Sequence, residues 1–347
     1  MTDHGPVRPP RGAASPDFLR PYRHAIEAEL QVVLNGHDEA LYTMMRHQLG
    51  WDGDLMSSPG KYVRPGLLLL ACEASGGDWR QAVPAAAALE LLHNFSLIHD
   101  DIQDESPIRR GRPTVWKQWG AAQAINAGDG MYALSRLALL NLLDRKVDKD
   151  RTFSAARLLD ETCLKLCIGQ YEDLAFQDRS SVTFPEYESM IERKTAAVFG
   201  CAFEMGAMVA IGPGETGRKL AEAGREMGIA YQMQDDVLDL WGGVGTGKQI
   251  GIDLRRGKKS MPVVFGLSRG DTPDGDRLRA LYAGPLDERA VIEVTEILDR
   301  VGAATFCTNA ADEHWRRAQG LLRSSGVGQA GAESMIRAGE VLANREF

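Results

Sequence analysis

"QAVPAAAALELLHNFSLIHDDIQD", residues 81–104, joins a long apolar run directly to a cluster of carboxylates. Apolar residues recur in this run every three or four positions, which is the period of a helix with a buried face. Ala and Leu, both strong helix formers, dominate it. The stretch therefore predicts a helix in a helical core, with a charged group at its carboxyl end.

The same periodicity recurs along most of the chain, while the alternating pattern of strands is nearly absent. The segments that carry it are 22–34, 130–143, 153–176, 186–210, 217–241 and 289–306. Clusters of Gly or Pro, which interrupt helices, separate them. We predict an all-α fold with a single helical domain over residues 19–347. Residues 1–18 are predicted to form a flexible N-terminal tail.

The overall composition limits the classes of partner. The chain has 347 residues, 44% of them hydrophobic, and a formal net charge of −8. Nucleic-acid binding and polybasic membrane attachment both need a positive surface field, so we expect neither. The N-terminus lacks an apolar signal segment, and the longest apolar stretch, 196–212, is short for a membrane span and contains Glu204. We expect a cytoplasmic protein without stable membrane insertion.

A pattern of Asp-Asp-x-x-Asp occurs twice, each time after an apolar helical run. Its members are Asp100, Asp101, Asp104, Asp235, Asp236 and Asp239. On a helix, the three carboxylates of one motif lie within an arc of about 100°, where they repel one another. A single motif could equally be a solvated acidic turn. Two motifs behind buried helices favour shared Mg²⁺ ions that also bind phosphate oxygens.

Basic residues near these motifs are suited to a diphosphate, which carries more negative charge than Mg²⁺ alone neutralises. One planar guanidinium group can bind two phosphate oxygens at once. The candidates are Arg109, Arg110, Lys61, Arg64, Lys248 and Lys258. Taken singly, each of them is better explained as a solvated surface charge. The stretch "GKQIGIDLRRGKKSMP", 247–262, has the glycines of a loop that can close over phosphates, but it lacks the P-loop spacing.

Six separate motifs carry a resemblance to a known family. They are "GKYVRP" at 60–65, "HNFSLIHDDIQD" with "RRGRPT" at 93–114, "GQYEDL" at 169–174, "KT" at 194–195, "YQMQDDVLD" at 231–239 and "GKQIGIDLRRGK" at 247–258. In this order and spacing the chain resembles the trans-isoprenyl diphosphate synthases, which include farnesyl and geranylgeranyl diphosphate synthases. The resemblance covers residues 20–345. It implies a helical bundle of the isoprenoid synthase type around a deep central cavity, usually as a homodimer, with both aspartate motifs at the cavity mouth.

The resemblance also implies a reaction. A Mg²⁺-dependent prenyltransferase of this family condenses isopentenyl diphosphate with an allylic diphosphate, which is dimethylallyl, geranyl or farnesyl diphosphate. The allylic C–O bond breaks, the double bond of isopentenyl diphosphate attacks the carbocation, and a proton is lost to the departing diphosphate. Mn²⁺ is an expected substitute for Mg²⁺. We expect geranylgeranyl diphosphate (C20) as the product, with farnesyl diphosphate (C15) as the alternative.

Two other classes of function remain less favoured. A class I terpene cyclase normally has an Asn/Ser/Glu pattern as its second metal motif, and it has no need of the "GKYVRP" and "RRGRPT" motifs. A non-catalytic regulatory homologue would have lost metal ligands, whereas both aspartate motifs are complete here.

The family's functional residues map onto matching positions of this chain. The resemblance assigns Asp100, Asp104 and Asp235 to metal binding, with Asp101, Asp236 and Asp239 in direct or water-mediated support. It assigns Lys61, Arg64, His93 and Arg110 to isopentenyl diphosphate, and Arg109, Lys194 and Lys258 to the allylic diphosphate. Lys248 belongs to the closing loop, Gln170 to a substrate-binding motif, and Thr195 and Gln232 to positions near the developing cation. The amide oxygen of Gln232 is expected to point toward that cation.

Product length is expected to depend on Phe95 and Ser96. Phe95 lies five residues before Asp100, about 7.5 Å along the helix axis. In the family, an aromatic residue at this position accompanies short products, so Phe95 is the candidate floor of the product tunnel. An ideal helical wheel turns Phe95 away from the aspartates. An ordinary core phenylalanine therefore remains the alternative.

Overall fold

The protein, described by a computed structural model, is a bundle of helices, as the apolar periodicity predicts. The structure describes residues 17–51, 60–242, 251–270 and 272–344. The predicted tail lies outside the described residues as far as residue 16, and Lys248 lies outside them too. The α-helices are α1 Arg20–Leu34, α2 Ala40–Leu49, α3 Val63–Ala74, α4 Val83–Gln103, α5 Val115–Trp119, α6 Ala121–Leu140, α7 Lys149–Gln177, α8 Phe184–Ile191, α9 Ala197–Ile211, α10 Glu215–Trp241, α11 Ile252–Arg255, α12 Met261–Leu267, α13 Pro273–Leu281, α14 Glu288–Arg300, α15 Ala303–Ser324 and α16 Gln329–Asn344. The predicted all-α class is confirmed.

Short 3-10, π and β segments connect some of these helices. The 3-10 helices are Asp17–Leu19 and Trp79–Ala82, the π-helical segment is Glu192–Ala196, and the strands are β1 Ile108–Arg109 and β2 Arg112–Pro113. The two strands pair antiparallel as a hairpin directly after α4. Its turn residues, Arg110 and Gly111, have φ angles of 51° and 77°, the left-handed conformations that a tight hairpin requires. The hairpin turns the arginine-rich segment back toward the end of α4.

Helix α4 lies in the core and brings the first aspartate motif to its carboxyl end. Pro84 occupies the first turn, where a missing N–H group costs nothing. The alanines at 85–88 are fully buried, and α6 packs along this helix. The helix ends at Asp104, whose N–H group donates to the carbonyl oxygen of Asp100. The motif therefore spans the last turn of a rigid, buried helix.

Helix α10 carries the second aspartate motif and packs between α9 and α15. Glycines allow its close approach to α9. A Cβ atom added at Gly224 would lie 2.6 Å from the carbonyl oxygen of Phe199, and one added at Gly228 would lie 2.6 Å from the Cα atom of Ala196. Because real Cβ atoms do not come so near to backbone, only glycine permits this packing. The contact fixes α10 against the segment that carries Lys194 and Thr195.

Within the part of the chain that the structure describes, one helical region is long and apolar enough, by length and composition, to cross a membrane. It covers 184–211, and 78% of its most apolar window is buried inside the protein. Helix α9 forms its second half and packs against α3, α7 and α10. The apolar character of this region is therefore accounted for by the helical core.

Candidate active site

Asp101 is the buried carboxylate of the first motif. Its side chain is 1% exposed, and Arg109 donates to it from Nε at 2.9 Å and from Nη2 at 2.8 Å. Burial raises the pKa of the Asp101 carboxyl, and the guanidinium beside it opposes that shift. The β1–β2 hairpin holds Arg109 in place. We expected Asp101 to support a metal, but both of its carboxylate oxygens accept hydrogen bonds from Arg109.

Asp104 and Asp100 are the members of the first motif whose carboxylates are less fully bound by other side chains. Lys258 donates to Oδ2 of Asp104 at 2.9 Å, and Arg256 donates to the same oxygen at 3.4 Å. Oδ1 of Asp104 is buried without a partner among the described residues. Burial raises the pKa of the Asp100 carboxyl. An orphaned buried oxygen costs free energy, so Asp104 fits the ligand set of a hard cation, and Asp100 lies one helical turn before it on the same face.

Lys258 is the cation on which several carboxylates converge. Its Nζ atom lies 2.9 Å from Asp104, 3.8 Å from Asp173 and 3.7 Å from Asp253. Burial alone would lower the pKa of the Lys258 ammonium, but these carboxylates outweigh burial and raise it. The backbone N–H of Asp253 also donates to Oδ2 of Asp239, at 3.4 Å. Through Lys258 and Asp253, residues of both aspartate motifs meet in one place.

Lys194 faces the same carboxylates from a distorted helix. Its Nζ atom donates to Oδ2 of Asp173 at 2.6 Å. Burial alone would raise the pKa of the Asp173 carboxyl, but Lys194 and Lys258 hold it below its usual range. Lys194 and Thr195 belong to the π-helical segment Glu192–Ala196, and such segments frequently occur at functional sites. Two lysines and three carboxylates thus form a charged ring at this end of the bundle.

Gly169 on α7 allows the π-helical segment to approach. A Cβ atom at this position would lie 2.4 Å from the backbone nitrogen of Lys194. Asp173 follows one turn later on α7, which places its carboxylate beside the lysine side chain. The close backbone approach at Gly169 therefore sets the distance between Lys194 and Asp173.

Asp236 is the buried carboxylate of the second motif. It is 6% exposed and accepts three hydrogen bonds: from the Tyr187 hydroxyl at 2.7 Å, from Nε2 of Gln232 at 2.9 Å, and from the backbone N–H of Met261 at 2.8 Å. Burial raises the pKa of the Asp236 carboxyl to about 7, and the three donors oppose that shift. As with Asp101, protein donors occupy both oxygens of an expected metal-supporting residue.

The side-chain amide of Gln232 is hydrogen-bonded at both ends. Its amide nitrogen donates to Asp236, and its amide oxygen accepts a hydrogen bond from the Thr195 hydroxyl at 2.8 Å. The helical wheel placed Gln232 on the same helical face as Asp235. It did not reveal that the Gln232 side chain contacts Thr195. The oxygens of Thr195 and Gln232 therefore lie side by side.

A second basic group surrounds His93 on α4. Nη1 of Arg64 lies 3.2 Å from Nε2 of His93, and the guanidinium carbon lies 5.2 Å from the centroid of the Phe199 ring. Burial lowers the pKa of His93 well below its usual value, and Arg64 adds to the effect. His93 is therefore neutral and accepts from Arg64. Nε of Arg64 is buried without a partner among the described residues.

Arg110 and Lys61 complete the basic residues predicted on this side. Arg110 interacts electrostatically with the buried carboxylate of Glu90, whose pKa is raised chiefly by burial. A Cβ atom at Gly60 would lie 3.3 Å from both Nη1 of Arg110 and Oε1 of Glu90. Lys61 is exposed. Arg64, His93 and Arg110 thus converge, while Lys61 reaches toward solvent.

The remaining predicted residues lie along α4 and α7. Gln170 donates from Nε2 to Gln103 at 2.8 Å, and its Oε1 atom is buried without a described partner. The Phe95 ring packs against Tyr132 on α6, with 5.4 Å between ring centroids. Ser96 donates its hydroxyl to the carbonyl oxygen of His93 at 2.8 Å. Phe95 therefore packs against α6.

Three residues of the site were not assigned from the sequence. Arg256 donates to Ser106 at 2.6 Å as well as to Asp104, and its position inside the "RRGK" run offered a signal. Asp173 belongs to the "GQYEDL" motif, from which only Gln170 was selected. Tyr187 lies on α8, outside every motif, so no local pattern indicated it.

Among the described residues, no group of three or more His, Cys, Asp or Glu side chains is close enough to hold a metal unaided. The carboxylates of the two motifs therefore do not form a closed cage among the described residues. Such an arrangement suits Mg²⁺, which completes its octahedral shell with water and substrate phosphate.

Comparison with known proteins identifies the class to which this fold and site belong. The polyprenyl synthetase family model matches residues 53–300. The chain therefore belongs to the polyprenyl synthetase family, and it is a transferase of the short-chain prenyl diphosphate synthase type.

Particular relatives support this assignment. The chain is 40% identical over 292 residues to a geranylgeranyl diphosphate synthase of Mycobacterium tuberculosis, covering 82% of each chain. It is 34% identical over 303 residues to a (2E,6E)-farnesyl diphosphate synthase of the same species, covering 84% of this chain and 82% of that one. The crystal structure of a polyprenyl synthetase from Streptomyces coelicolor superimposes with a TM-score of 0.85 at 30% identity, covering 95% of this chain and 99% of that one.

Proposed function

We propose that the protein joins isopentenyl diphosphate to an allylic diphosphate and releases geranylgeranyl diphosphate (C20). The observation that carries the proposal is the charged ring of Lys194, Lys258, Asp104, Asp173 and Asp253, which places cations beside the open Oδ1 atom of Asp104. Only a ligand that carries both phosphate oxygens and hard cations satisfies both kinds of group. Relatives named as geranylgeranyl diphosphate synthases, at 40% identity, favour the C20 product.

Farnesyl diphosphate (C15) is the second candidate product. It is favoured by the relatives named (2E,6E)-farnesyl diphosphate synthase, which are 34% identical. A terpene cyclase and a regulatory homologue are both disfavoured, because the matched relatives are prenyl diphosphate synthases.

We propose that Asp100, Asp104 and Asp235 hold Mg²⁺ together with the substrate diphosphate, and that Mn²⁺ can replace it. The orphaned Oδ1 atom of Asp104 supports this assignment. When bound, the ion supplies positive charge that draws electrons from the diphosphate and favours C–O cleavage. Asp239, which accepts from the backbone of Asp253, remains a supporting ligand of the second motif.

The basic residues of the ring prepare the departure of diphosphate. Lys194 and Lys258 are held by Asp173 before substrate binds, so their ammonium groups are already placed beside the entering phosphate. Arg256 adds a third cation at Asp104. Because these groups are positioned in advance, little reorganisation is needed when charge develops on the leaving oxygen. Arg109, fixed on Asp101, contributes its charge from the hairpin.

The second substrate is held on the other side of α4. Arg64, His93 and Arg110 bind the diphosphate of isopentenyl diphosphate without metal, and Lys61 reaches it from the exposed segment before α3. The neutral state of His93 leaves it able to donate one hydrogen bond while it accepts another. Gln170, whose Oε1 atom has no described partner, is proposed to contact substrate at the mouth. The proton released after condensation leaves with the diphosphate.

We propose one catalytic domain over residues 19–347 and a homodimeric assembly in the cytoplasm. The dimer is supported by an apolar surface, here named the α6/α7 face, on two neighbouring helices. Its residues are all exposed: Ile125, Leu137, Leu140, Phe153, Leu164, Ile168 and Tyr171. A patch of this kind on a folded protein marks an interaction surface. The five cysteines, all free, suit a reducing compartment.

Product analysis tests the proposed reaction. The purified protein is incubated with Mg²⁺, labelled isopentenyl diphosphate and, in separate reactions, each of the three allylic primers. The hydrolysed products are then sized by chromatography. We expect geranylgeraniol from every primer. Farnesol as the final product would establish the C15 alternative, and release of a cyclic terpene or of no prenyl alcohol would refute the synthase proposal.

A further inference from the structure

Four side chains form a continuous hydrogen-bonded chain that crosses three helical elements. The Tyr187 hydroxyl on α8 donates to Oδ2 of Asp236, at 2.7 Å. Nε2 of Gln232 on α10 donates to Oδ1 of Asp236, at 2.9 Å. The Thr195 hydroxyl in the π-helical segment donates to Oε1 of Gln232, at 2.8 Å. The chain begins at a tyrosine outside every motif and ends at the charged ring.

The direction of every hydrogen bond in this chain is determined by Asp236. In its ionised form, which its three donors favour, Asp236 only accepts hydrogen bonds, and it also accepts from the backbone N–H of Met261, at 2.8 Å. The amide of Gln232 must therefore turn its NH₂ group to Asp236 and its oxygen to Thr195. The Thr195 hydroxyl then donates its only hydrogen to that oxygen. The oxygens of Thr195 and Gln232 both keep lone pairs beside Lys194, while the NH₂ group of Gln232 is directed to Asp236.

We infer that Asp236 and Tyr187 are positioning residues, which hold the oxygens of Thr195 and Gln232 toward the carbon that becomes positive, and that Asp236 is not a metal ligand. The inference rests on the proposed condensation, in which an allylic cation forms. Fixed oxygen dipoles stabilise such a charge without reorganisation. A reversed amide would present its NH₂ group instead and oppose the charge.

The alternative explanation is that Asp236 only fastens helices together. It does join α8, α10 and the amino end of α12, where the N-cap residue Ser260 makes no side-chain cap. A purely structural clamp, however, would not depend on which end of the Gln232 amide faces Thr195. The two explanations therefore differ in how catalysis, rather than stability, responds to substitution along the chain.

The first experiment removes the hydroxyl at the outer end of the chain. We expect Tyr187→Phe to lower kcat about tenfold, as removal of an outer hydrogen-bond partner commonly does. The KM values for both diphosphates and the Mg²⁺ concentration for half-maximal activity should stay within about twofold. The matched control is Tyr282→Phe, which removes a buried hydroxyl that has no described partner and should leave all these constants unchanged. An unchanged kcat in Tyr187→Phe would overturn the inference.

The second experiment asks whether the chain acts as a unit. Thr195→Ser keeps the hydroxyl and should retain kcat, whereas Thr195→Val removes it. In the Thr195→Val background, Tyr187→Phe should cost less than about twofold, because coupled residues are not additive. A full tenfold cost in both backgrounds would assign Tyr187 a merely structural role and contradict the inference. Melting curves confirm that each variant is folded.

The third experiment tests Asp236 as a ligand without relying on prenyl transfer. Isothermal titration calorimetry measures the binding of inorganic pyrophosphate in the presence of Mg²⁺. We expect Asp236→Asn to bind within about twofold of the unaltered protein, and Asp100→Asn to lose binding at least tenfold. Equal losses in the two variants would make Asp236 a ligand and overturn the inference. Failure of the proposed condensation would instead appear as absent elongation by the unaltered protein, whatever the calorimetry gives.

Discussion

Charge compensation decides which carboxylate oxygens of the aspartate motifs stay open to a ligand. Asp101 is held by two bonds from Arg109, and Asp236 by three donors. Asp104 keeps a buried oxygen without a described partner. Residues with the same identity in one motif thus have different tasks, because a carboxylate that already accepts several short hydrogen bonds gains little from a cation.

Asp100 and Asp235, the first residues of the two motifs, are those at which we expect substitution to affect turnover most. We expect Asp100→Ala and Asp235→Ala each to lower kcat about a thousandfold, because transition-state charge loses its main counterion. The exposed Asp144 is the matched control, and Asp144→Ala should leave kcat unchanged. Circular dichroism verifies that the helical content is retained. Turnover within tenfold of the unaltered protein in either site variant would contradict the two-motif mechanism.

Phe95 is the residue on which product length is predicted to depend. Its ring fills space between α4 and α6, beside Tyr132. If the product tunnel reaches this space, Phe95→Ala should lengthen the main product by at least one isoprene unit, as measured by chromatography of the hydrolysed products. Phe265→Ala is the control, because it removes a partly buried ring that stacks on Phe306 in a separate cluster. An unchanged product in Phe95→Ala would make Phe95 a packing residue only.

At the scale of elements, backbone contact between α7 and the π-helical segment sets the geometry of the ring. A Cβ atom at Gly169 would lie 2.4 Å from the backbone nitrogen of Lys194. We expect Gly169→Ala to push Lys194 from Asp173, lower the melting temperature and reduce kcat about tenfold or more, because small misplacements are costly in catalysis. Fluorescence-monitored melting and product formation measure the two effects.

The control for Gly169→Ala is a glycine in another helix. Gly320 lies in α15, and a Cβ atom there would meet nothing within 4 Å. Gly320→Ala should be neutral or stabilise the protein by about 0.5 to 1 kcal/mol, because alanine loses less backbone entropy on folding. If Gly169→Ala behaved like Gly320→Ala, the close approach would have no part in holding the site.

Helix α8, which presents Tyr187, begins with a capping box. Thr183 accepts from the backbone N–H of Glu186, and the Glu186 carboxylate accepts from the backbone of Thr183 at 2.8 Å. The Arg179 guanidinium, followed by these Thr183 donors, lowers the pKa of the Glu186 carboxyl to about 2. A depressed carboxyl pKa adds stability that is present above the unfolded value, about 4.5, and is lost as the pH falls toward 2.

Substitution of Glu186 should therefore change the acid side of the stability profile. We expect Glu186→Gln to lower the melting temperature at pH 7 and to flatten its decrease between about pH 5 and pH 2, because glutamine does not titrate. The effect is modest, since the carboxylate is accessible to water and salt. Differential scanning calorimetry across this range measures it. Parallel profiles for the two proteins would contradict the assigned role of Glu186.

The elements that the sequence predicted are the helices whose apolar residues recur with a regular period. The apolar period placed α4 and α10 in the core, and the first aspartate motif lies at the expected carboxyl end of α4. The period could not reveal the π-helical segment, because one extra residue per turn leaves no signature in five residues. Nor could it reveal Tyr187 or the pairing of Asp101 with Arg109, because these contacts depend on side chains brought together by folding. Spacing identifies a motif, whereas packing decides what each member of it binds.

At the scale of the whole molecule, the fold of one chain leaves the apolar α6/α7 face without an explanation. Leu164 on α7, a member of this face, is 63% exposed. A dimer of the proposed kind buries this side chain, and placing a charge there would require burying an unpaired ion. We expect Leu164→Glu to be monomeric at micromolar concentration, with sedimentation velocity as the measurement.

Ile292 on α14 provides the matched control for Leu164, because it is also apolar and 59% exposed but lies outside the α6/α7 face. Ile292→Glu should sediment as a dimer, like the unaltered protein, so that loss of the dimer in Leu164→Glu reports on the face rather than on added charge. Helix α7 also carries Gly169 and Asp173, so an unsupported α7 should lower kcat in the monomer as well. A dimeric Leu164→Glu variant, or a monomeric unaltered protein, would refute the assignment of this face.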